Sequence, residues 1–306
     1  MNWLDFYTKL YYKERNIPGL PFWVMSPFRI ITKIVANKCI PRYLSSHNYD
    51  KKKIDSDVVV SFTSFPARIN NVWQVVECMM RQTYKPSKIL LWLSKEQFPT
   101  EDTVPDSLRE RVGDCFEIRM VDGNIRSHKK YYYAFKEFKN SLVFLIDDDI
   151  YYPTDIIERS LCEMEKTKAQ VVANYGYLIT RRGETEIKPY REWKRENHYS
   201  SSPDIFFGSG GGTLVDVSKM CPMTLDIDLA QKLTPFADDI WLNAMVRLSG
   251  LRISLLPNGD VLPVFCKNDV KLASENLWNN ENDIQLNNLS TFLRNELVVD
   301  IFSCRK

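Results

Sequence analysis

Three adjacent aspartates, Asp147, Asp148 and Asp149, directly follow the apolar run Leu142-Val143-Phe144-Leu145-Ile146, and a second carboxylate pair, Asp238-Asp239, lies further along the chain. Neighbouring carboxylates repel, and a bound cation, protonation or solvent must relieve the repulsion. Side chains alternate along an extended chain, so Asp147 and Asp149 are expected on one face and Asp148 on the other. Two same-face carboxylates with water suit Mg²⁺ or Mn²⁺, which take oxygen ligands and keep positions open for phosphates. A solvated acidic turn is the competing reading. The metal is favoured because ligands gather at the carboxyl ends of strands in open α/β sheets.

Other reactive side chains sit at similar places. After the apolar run 58–62 comes Thr63-Ser64-Phe65-Pro66-Ala67-Arg68, offering hydroxyls, a ring and a guanidinium. After the run 116–121 comes Asp122-Gly123-Asn124, then Arg126, His128, Lys129 and Lys130 at a helix entrance. Lysines there reinforce the positive end of the helix dipole and suit a phosphate. Taken with the acidic strand end, Lys129 and Lys130 form a candidate diphosphate clamp; alone they would be an ordinary solvated helix start. The stretch Phe206-Phe207-Gly208-Ser209-Gly210-Gly211-Gly212-Thr213-Leu214 permits close backbone approach to a ligand or, equally, a flexible hairpin. It is neither a Walker loop nor a dinucleotide fingerprint. Asp238 and Asp239 open a helix expected to reach about Ser249, where one carboxylate can be spent on capping and both less easily.

The elements that must position these groups alternate. Runs 58–62, 89–93, 116–121 and 142–146 read as strands, and 71–82, 129–139 and 154–168 as helices, which implies a mostly parallel sheet. The chain of 306 residues, 44% hydrophobic, can bury a sizeable core, and a formal charge of +2 gives no reason to expect nucleic acid. Seven cysteines without a Cys-x-x-Cys pair resemble reduced cytosolic usage. No signal peptide or bilayer-length apolar stretch is read, so a cytoplasmic protein is expected, either free or peripheral on the inner face of the cytoplasmic membrane. Residues 22–43 interleave Phe22, Trp23, Phe28, Ile31 and Ile34 with Arg29, Lys33, Lys38 and Arg42, a candidate for membrane contact or for packing on the domain. Pro18, Pro21, Pro27 and Pro41 argue against one long helix there. The expected division is an N-terminal appendage (1–56), a catalytic domain (57–270) and a C-terminal helical tail (271–306).

The stretch 58–68, the run His128-Lys129-Lys130-Tyr131-Tyr132-Tyr133-Ala134 and Asp147-Asp148-Asp149-Ile150-Tyr151-Tyr152-Pro153 together resemble bacterial, family-2-like nucleotide-sugar glycosyltransferases of the GT-A fold, over residues 57–269. The resemblance implies a Rossmann-like α/β sheet with Asp147 and Asp149 as the Asp-x-Asp pair for Mn²⁺ or Mg²⁺. It implies donor contacts from Thr63, Ser64, Phe65, Arg68, Asp122, Lys129, Lys130, Asp147, Asp148, Gly210, Gly211 and Gly212. Asp239 is implied as the catalytic base of an inverting transfer, with Asp238 in reserve. The donor would be a nucleotide sugar, UDP being favoured because it commonly accompanies such metal sites, and the acceptor a glycan or lipid-linked molecule of capsule or lipopolysaccharide synthesis. A C-terminal metal-binding histidine found in some relatives has no counterpart, since no histidine follows His198; Asp260 or Asp269 would have to serve. Tyr175, Tyr177, Tyr190 and Trp193 could stack on sugars, with core packing the stronger expectation. Three other readings compete. A haloacid-dehalogenase-type phosphatase would want Thr or Val where Tyr151 stands. A sugar nucleotidyltransferase would want glycine in 63–68. An inactive carbohydrate-binding protein would need no acidic pair.

Overall fold

Continuous aliphatic runs bury both faces of a strand, and the central strands of this chain are such runs. The computed structural model describes residues 2–13, 22–46, 56–183, 186–196, 204–257, 259, 261–265 and 280–302. In chain order the elements begin with α1 (Trp3–Lys13), α2 (Phe22–Ser46), β1 (Val58–Thr63), α3 (Val72–Met80), β2 (Lys88–Ser94), α4 (Asp106–Arg109), β3 (Phe116–Val121), α5 (Lys129–Glu137) and β4 (Leu142–Ile146). Then follow β5 (Ile150–Tyr151), α6 (Ile156–Thr167), β6 (Val171–Ala173), β7 (Gly176–Leu178), β8 (Arg181–Arg182), β9 (Glu186–Ile187), β10 (Lys194–Glu196) and β11 (Ile205–Phe207). The last are β12 (Gly211–Asp216), α7 (Ile227–Leu233), α8 (Asp238–Leu248), β13 (Ile253–Leu255), β14 (Leu262–Pro263) and α9 (Glu281–Leu297).

The main sheet has seven strands in the order β13-β6-β12-β4-β1-β2-β3. Neighbouring strands are parallel except at β12, which runs antiparallel to both β4 and β6. The expected mostly parallel α/β sheet flanked by helices is therefore present. Its two faces divide the core. Val58, Val60 and Phe62 point with Leu91 and Phe144 toward α3, while Val59, Val143 and Leu145 point with Leu90 toward α5 and α8. The reversed strand β12 brings the glycine-rich segment, which precedes it, to the carboxyl end of β4; Gly211 stands opposite Ile146.

One local expectation is corrected. α2 is one helix of 25 residues that runs through Pro27 and Pro41. Ala36, Ile40 and Leu44 are buried on the α3 side of the core, and this packing outweighs the backbone hydrogen bonds that the prolines forgo. Arg181 of β8 donates to Asp204 and to the Phe302 carbonyl, both at 2.8 Å. The terminal elements are tied to the sheet domain. Asp5 of α1 accepts from the Thr154 amide at 2.8 Å, and α9 buries Leu286, Leu289 and Leu293 beside α7 and α8. No helix among the described residues is long and apolar enough to cross a membrane.

Candidate active site

The acidic triad begins one residue beyond β4, so the alternation of a strand does not extend through it. Asp148 is the buried member, with a side chain 7% exposed against 37% for Asp147 and 28% for Asp149. The partners differ from the simple alternating picture. Asp148 accepts from the Ser64 hydroxyl and pairs with Arg68 at 3.0 Å, and the same guanidinium nitrogen reaches Asp149 at 2.9 Å. Asp147 faces elsewhere, toward Lys130, whose ammonium donates to it at 3.0 Å. Burial pushes the Asp148 carboxyl up, against the pull of Arg68 and Ser64.

The turn carrying Asp147 is held by backbone. The Asp147 N–H donates to the Gly210 carbonyl at 2.9 Å and to the Tyr152 hydroxyl at 2.9 Å, and that hydroxyl in turn donates to the Gly210 carbonyl. A Cβ on Gly210 would lie 1.8 Å from the Asp147 carboxyl carbon, so this glycine is what allows the carboxylate its place. Gly211 yields in the same way to the Tyr175 ring, and Gly212 adopts φ +98°. The segment is buried throughout 208–213, which replaces the flexible surface hairpin as a description of it.

Lys130 joins the two acidic motifs. Its ammonium, in a side chain 6% exposed, lies 3.0 Å from Asp147 and 2.9 Å from Asp238. Burial opposes its charge, but Asp147, Asp238 and Asp239 outweigh burial and hold the lysine well above its ordinary range. Lys129 does not converge with it, because successive residues on a helix face different directions. Its ammonium instead donates to Asn124 at 2.6 Å, and burial lowers it to about 8. Asp122 is also outside this cluster, 88% exposed and paired with Lys95. Thr63 donates to the Trp92 carbonyl at 2.7 Å, and Phe65 lies beneath the Arg68 guanidinium at 5.3 Å.

At the start of α8 the two carboxylates have opposite character. Burial would raise Asp238, but Lys130 and then His128 bring it below the usual carboxylate range. Asp239 accepts from the Ser209 N–H at 2.8 Å; burial first, and then the charge of Asp238, push it up to about 6. Its side chain remains partly exposed. Ser209, whose hydroxyl donates to Asp238 at 2.8 Å, ties the glycine-rich segment to both acids. Asn243 holds α8 to β11 by exchanging hydrogen bonds with the Phe207 backbone at 3.0 and 2.8 Å. The His128 ring is held on both sides, its Nε2 donating to the Thr234 carbonyl at 2.7 Å and its Nδ1 lying 3.1 Å from the Tyr131 hydroxyl, and burial pulls the ring below its ordinary range. Ser209, Tyr152 and Asn243 were not singled out by sequence reasoning, since isolated polar residues carry no spacing signal.

The four aromatics form a packed group. Tyr190 stacks obliquely on Trp193 with centroids 4.8 Å apart and meets Tyr177 and Phe206, while Trp193 is 5% exposed. α9 supports this wall, with Asp283 accepting from the Tyr190 amide at 2.7 Å and Gln285 from the Phe236 amide at 2.9 Å.

The accessible pair Asp147 and Asp149 has the hard oxygen chemistry that Mg²⁺ or Mn²⁺ requires, and these ions keep water and phosphate in the rest of their shell. In this structure each of the two carboxylates is engaged by a cation, Asp147 by Lys130 at 3.0 Å and Asp149 by Arg68 at 2.9 Å. No group of three or more His, Cys, Asp or Glu side chains capable of holding a metal occurs among the described residues, and Asp260 and Asp269, with His47 and His198, fall outside them.

No protein-family model matches this chain, and no curated protein matches it. Among solved structures it is similar to a mannosyltransferase, PcManGT from Pyrobaculum calidifontis in complex with GDP-Man and Mn²⁺. The similarity covers 95% of this chain and 76% of that one, at 11% identity and a TM-score of 0.47. A likeness of that size assigns no residue a role.

Proposed function

We propose that this protein is a metal-dependent glycosyltransferase that moves a sugar from a nucleotide-sugar donor, a UDP-sugar in the first instance, to a hydroxyl of a glycan or lipid-linked acceptor. The observation that carries the reading is the convergence of Asp147 and Asp238 on the single buried cation Lys130, which sets the acidic strand end beside a carboxylate of raised basicity, Asp239. Asp147 and Asp149 would hold Mn²⁺ or Mg²⁺, which when bound supplies charge neutralisation for a departing diphosphate. Lys130 adds a fixed positive charge at the same place without reorganising, and Arg68 holds Asp148 and Asp149 in register. Asp239 takes the proton of the acceptor hydroxyl as that oxygen bonds to the anomeric carbon and the bond to the phosphate oxygen breaks. A single displacement of this kind inverts the anomeric configuration. The GT-A assignment, a bacterial role in capsule or lipopolysaccharide synthesis, and work in the cytoplasm or on its membrane face belong to the same proposal.

Incubation with UDP-sugars and Mn²⁺, followed by phosphorus and proton NMR, tests it. Release of UDP by the wild type, lost in Asp239→Asn, and an inverted product are expected. Release unchanged in the variant, or a retained anomeric configuration, would remove Asp239 from its role as base.

A further inference from the structure

α2 is apolar on two sides. Ala36, Ile40 and Leu44 are buried against the sheet domain, yet Phe28, Ile30, Ile31, Ile34 and Val35 are 55, 57, 58, 51 and 40% exposed. A soluble surface helix normally turns polar residues outward. Half-exposure of these five side chains leaves on the order of 400–500 Å² of apolar surface in water, the size of patch that on a monomer is often functional. Phe28, Ile31, Val35, Lys38 and Arg42 fall at helical spacing on one outward stripe, which is apolar in its first half and cationic in its second. The helix contains Arg29, Lys33, Lys38 and Arg42 and no Asp or Glu. Arg29 is taken up beneath the surface, over the Tyr11 ring at 4.0 Å, but Lys38 and Arg42 are exposed.

Charge complementarity decides the occupant. An acid-free helix that joins an exposed apolar half to an exposed basic half fits a surface that is both greasy and anionic, where the apolar side chains enter the acyl boundary and the lysine and arginine meet headgroup phosphates.

α2 is also joined to the acidic motif by a short chain of bonds. The Asn37 amide donates to the Pro263 carbonyl at 3.1 Å and accepts from the Phe265 N–H at 2.6 Å, so it grips the end of β14 on both sides. β14 pairs with β5, and the Val264 N–H donates to the Asp149 carbonyl at 2.7 Å. Phe265, directly beyond this grip, is 59% exposed.

We propose that the outer face of α2 seats this protein on an anionic lipid bilayer, and that Asn37 and β14 fix the acidic motif relative to that seat. The seat stands on the α2 surface alone. Its consequence for the acceptor, a hydroxyl presented from the lipid surface, rests on the glycosyl-transfer reading.

Co-sedimentation of the full chain with vesicles of phosphatidylcholine, with and without phosphatidylglycerol, tests the seat. Binding to the phosphatidylglycerol vesicles is expected, weakened by salt, and lowered at least about tenfold in Ile31→Glu/Val35→Glu, since two charges replace two inserted aliphatic chains. Lys38→Glu/Arg42→Glu should lower binding and remove most of its salt dependence. All four positions are outward, so circular dichroism should show unchanged melting for both variants. No wild-type binding to either vesicle, or binding unchanged in the aliphatic double variant, would overturn the proposal. So would sedimentation velocity showing a wild-type dimer that this variant makes monomeric, which would assign the face to a second copy. The measurement needs neither donor nor metal, so its failure leaves the transferase reading standing, and failure of nucleotide binding leaves the seat standing.

Discussion

Asp239→Asn should make the protein more stable at neutral pH while abolishing transfer. The carboxyl is raised from 3.8 to about 6 in the fold by burial and by the charge of Asp238. Below the unfolded value both states hold the proton and the group contributes nothing to the difference. As pH rises from 3.8 toward 6 the unfolded chain releases the proton first, so stability falls, and above the folded value the full cost is present. A shift of about two pH units corresponds to about 3 kcal/mol. Asparagine fills the same volume and cannot ionise, so it escapes that cost while its carbonyl still accepts from the Ser209 N–H. For a chain of this length the gain converts to an increase of roughly 4–6 °C in melting temperature. Differential scanning calorimetry with a chelator present, at acidic pH and again near pH 8, provides the assay. The variant should melt above the wild type at the higher pH, with the gap closing toward pH 4. A gap independent of pH, or a variant less stable near pH 8, would refute the assignment of Asp239 as a strained, partly protonated carboxyl. The same shift predicts wild-type turnover that rises with pH through about 6, because only the ionised carboxylate accepts a proton.

Three further perturbations separate position from charge. Gly210→Ala should keep the fold by circular dichroism yet lose at least about tenfold in Mn²⁺-dependent nucleotide affinity, because its Cβ would occupy the place of the Asp147 carboxyl. Lys130→Met should cost about 3 kcal/mol in urea unfolding, since it strands Asp238 buried beside Asp147 and Asp239 without its cation. Asp149→Asn, at a position 28% exposed, should cost less than about 1 kcal/mol and act instead on metal-dependent binding.

The parallel part of the sheet was legible because unbroken aliphatic runs at 58–62, 89–93 and 142–146 leave little choice but a strand buried on both faces. The direction of β12 was not, since a short apolar strand carries no mark of its sense. The continuity of α2 was not legible because its prolines argue locally, while Ala36, Ile40 and Leu44 act through tertiary packing. Both acidic motifs stood out by composition. Their partners did not: alternation ceases with the strand at Ile146, and which of two adjacent lysines turns inward depends on where α5 begins, at Lys129. Ser209 and Tyr152 matter through backbone contacts that no spacing encodes.

The central claim is a metal-assisted nucleotide-sugar site at the end of β4, and calorimetric titration of UDP, GDP and CMP with and without Mn²⁺, repeated on Asp149→Ala, tests it most directly. The account predicts that one nucleotide binds only with Mn²⁺ and that Asp149→Ala loses this binding while melting within a few degrees of the wild type. No binding of any nucleotide under either condition, or binding indifferent to Mn²⁺ and to Asp149, would contradict it.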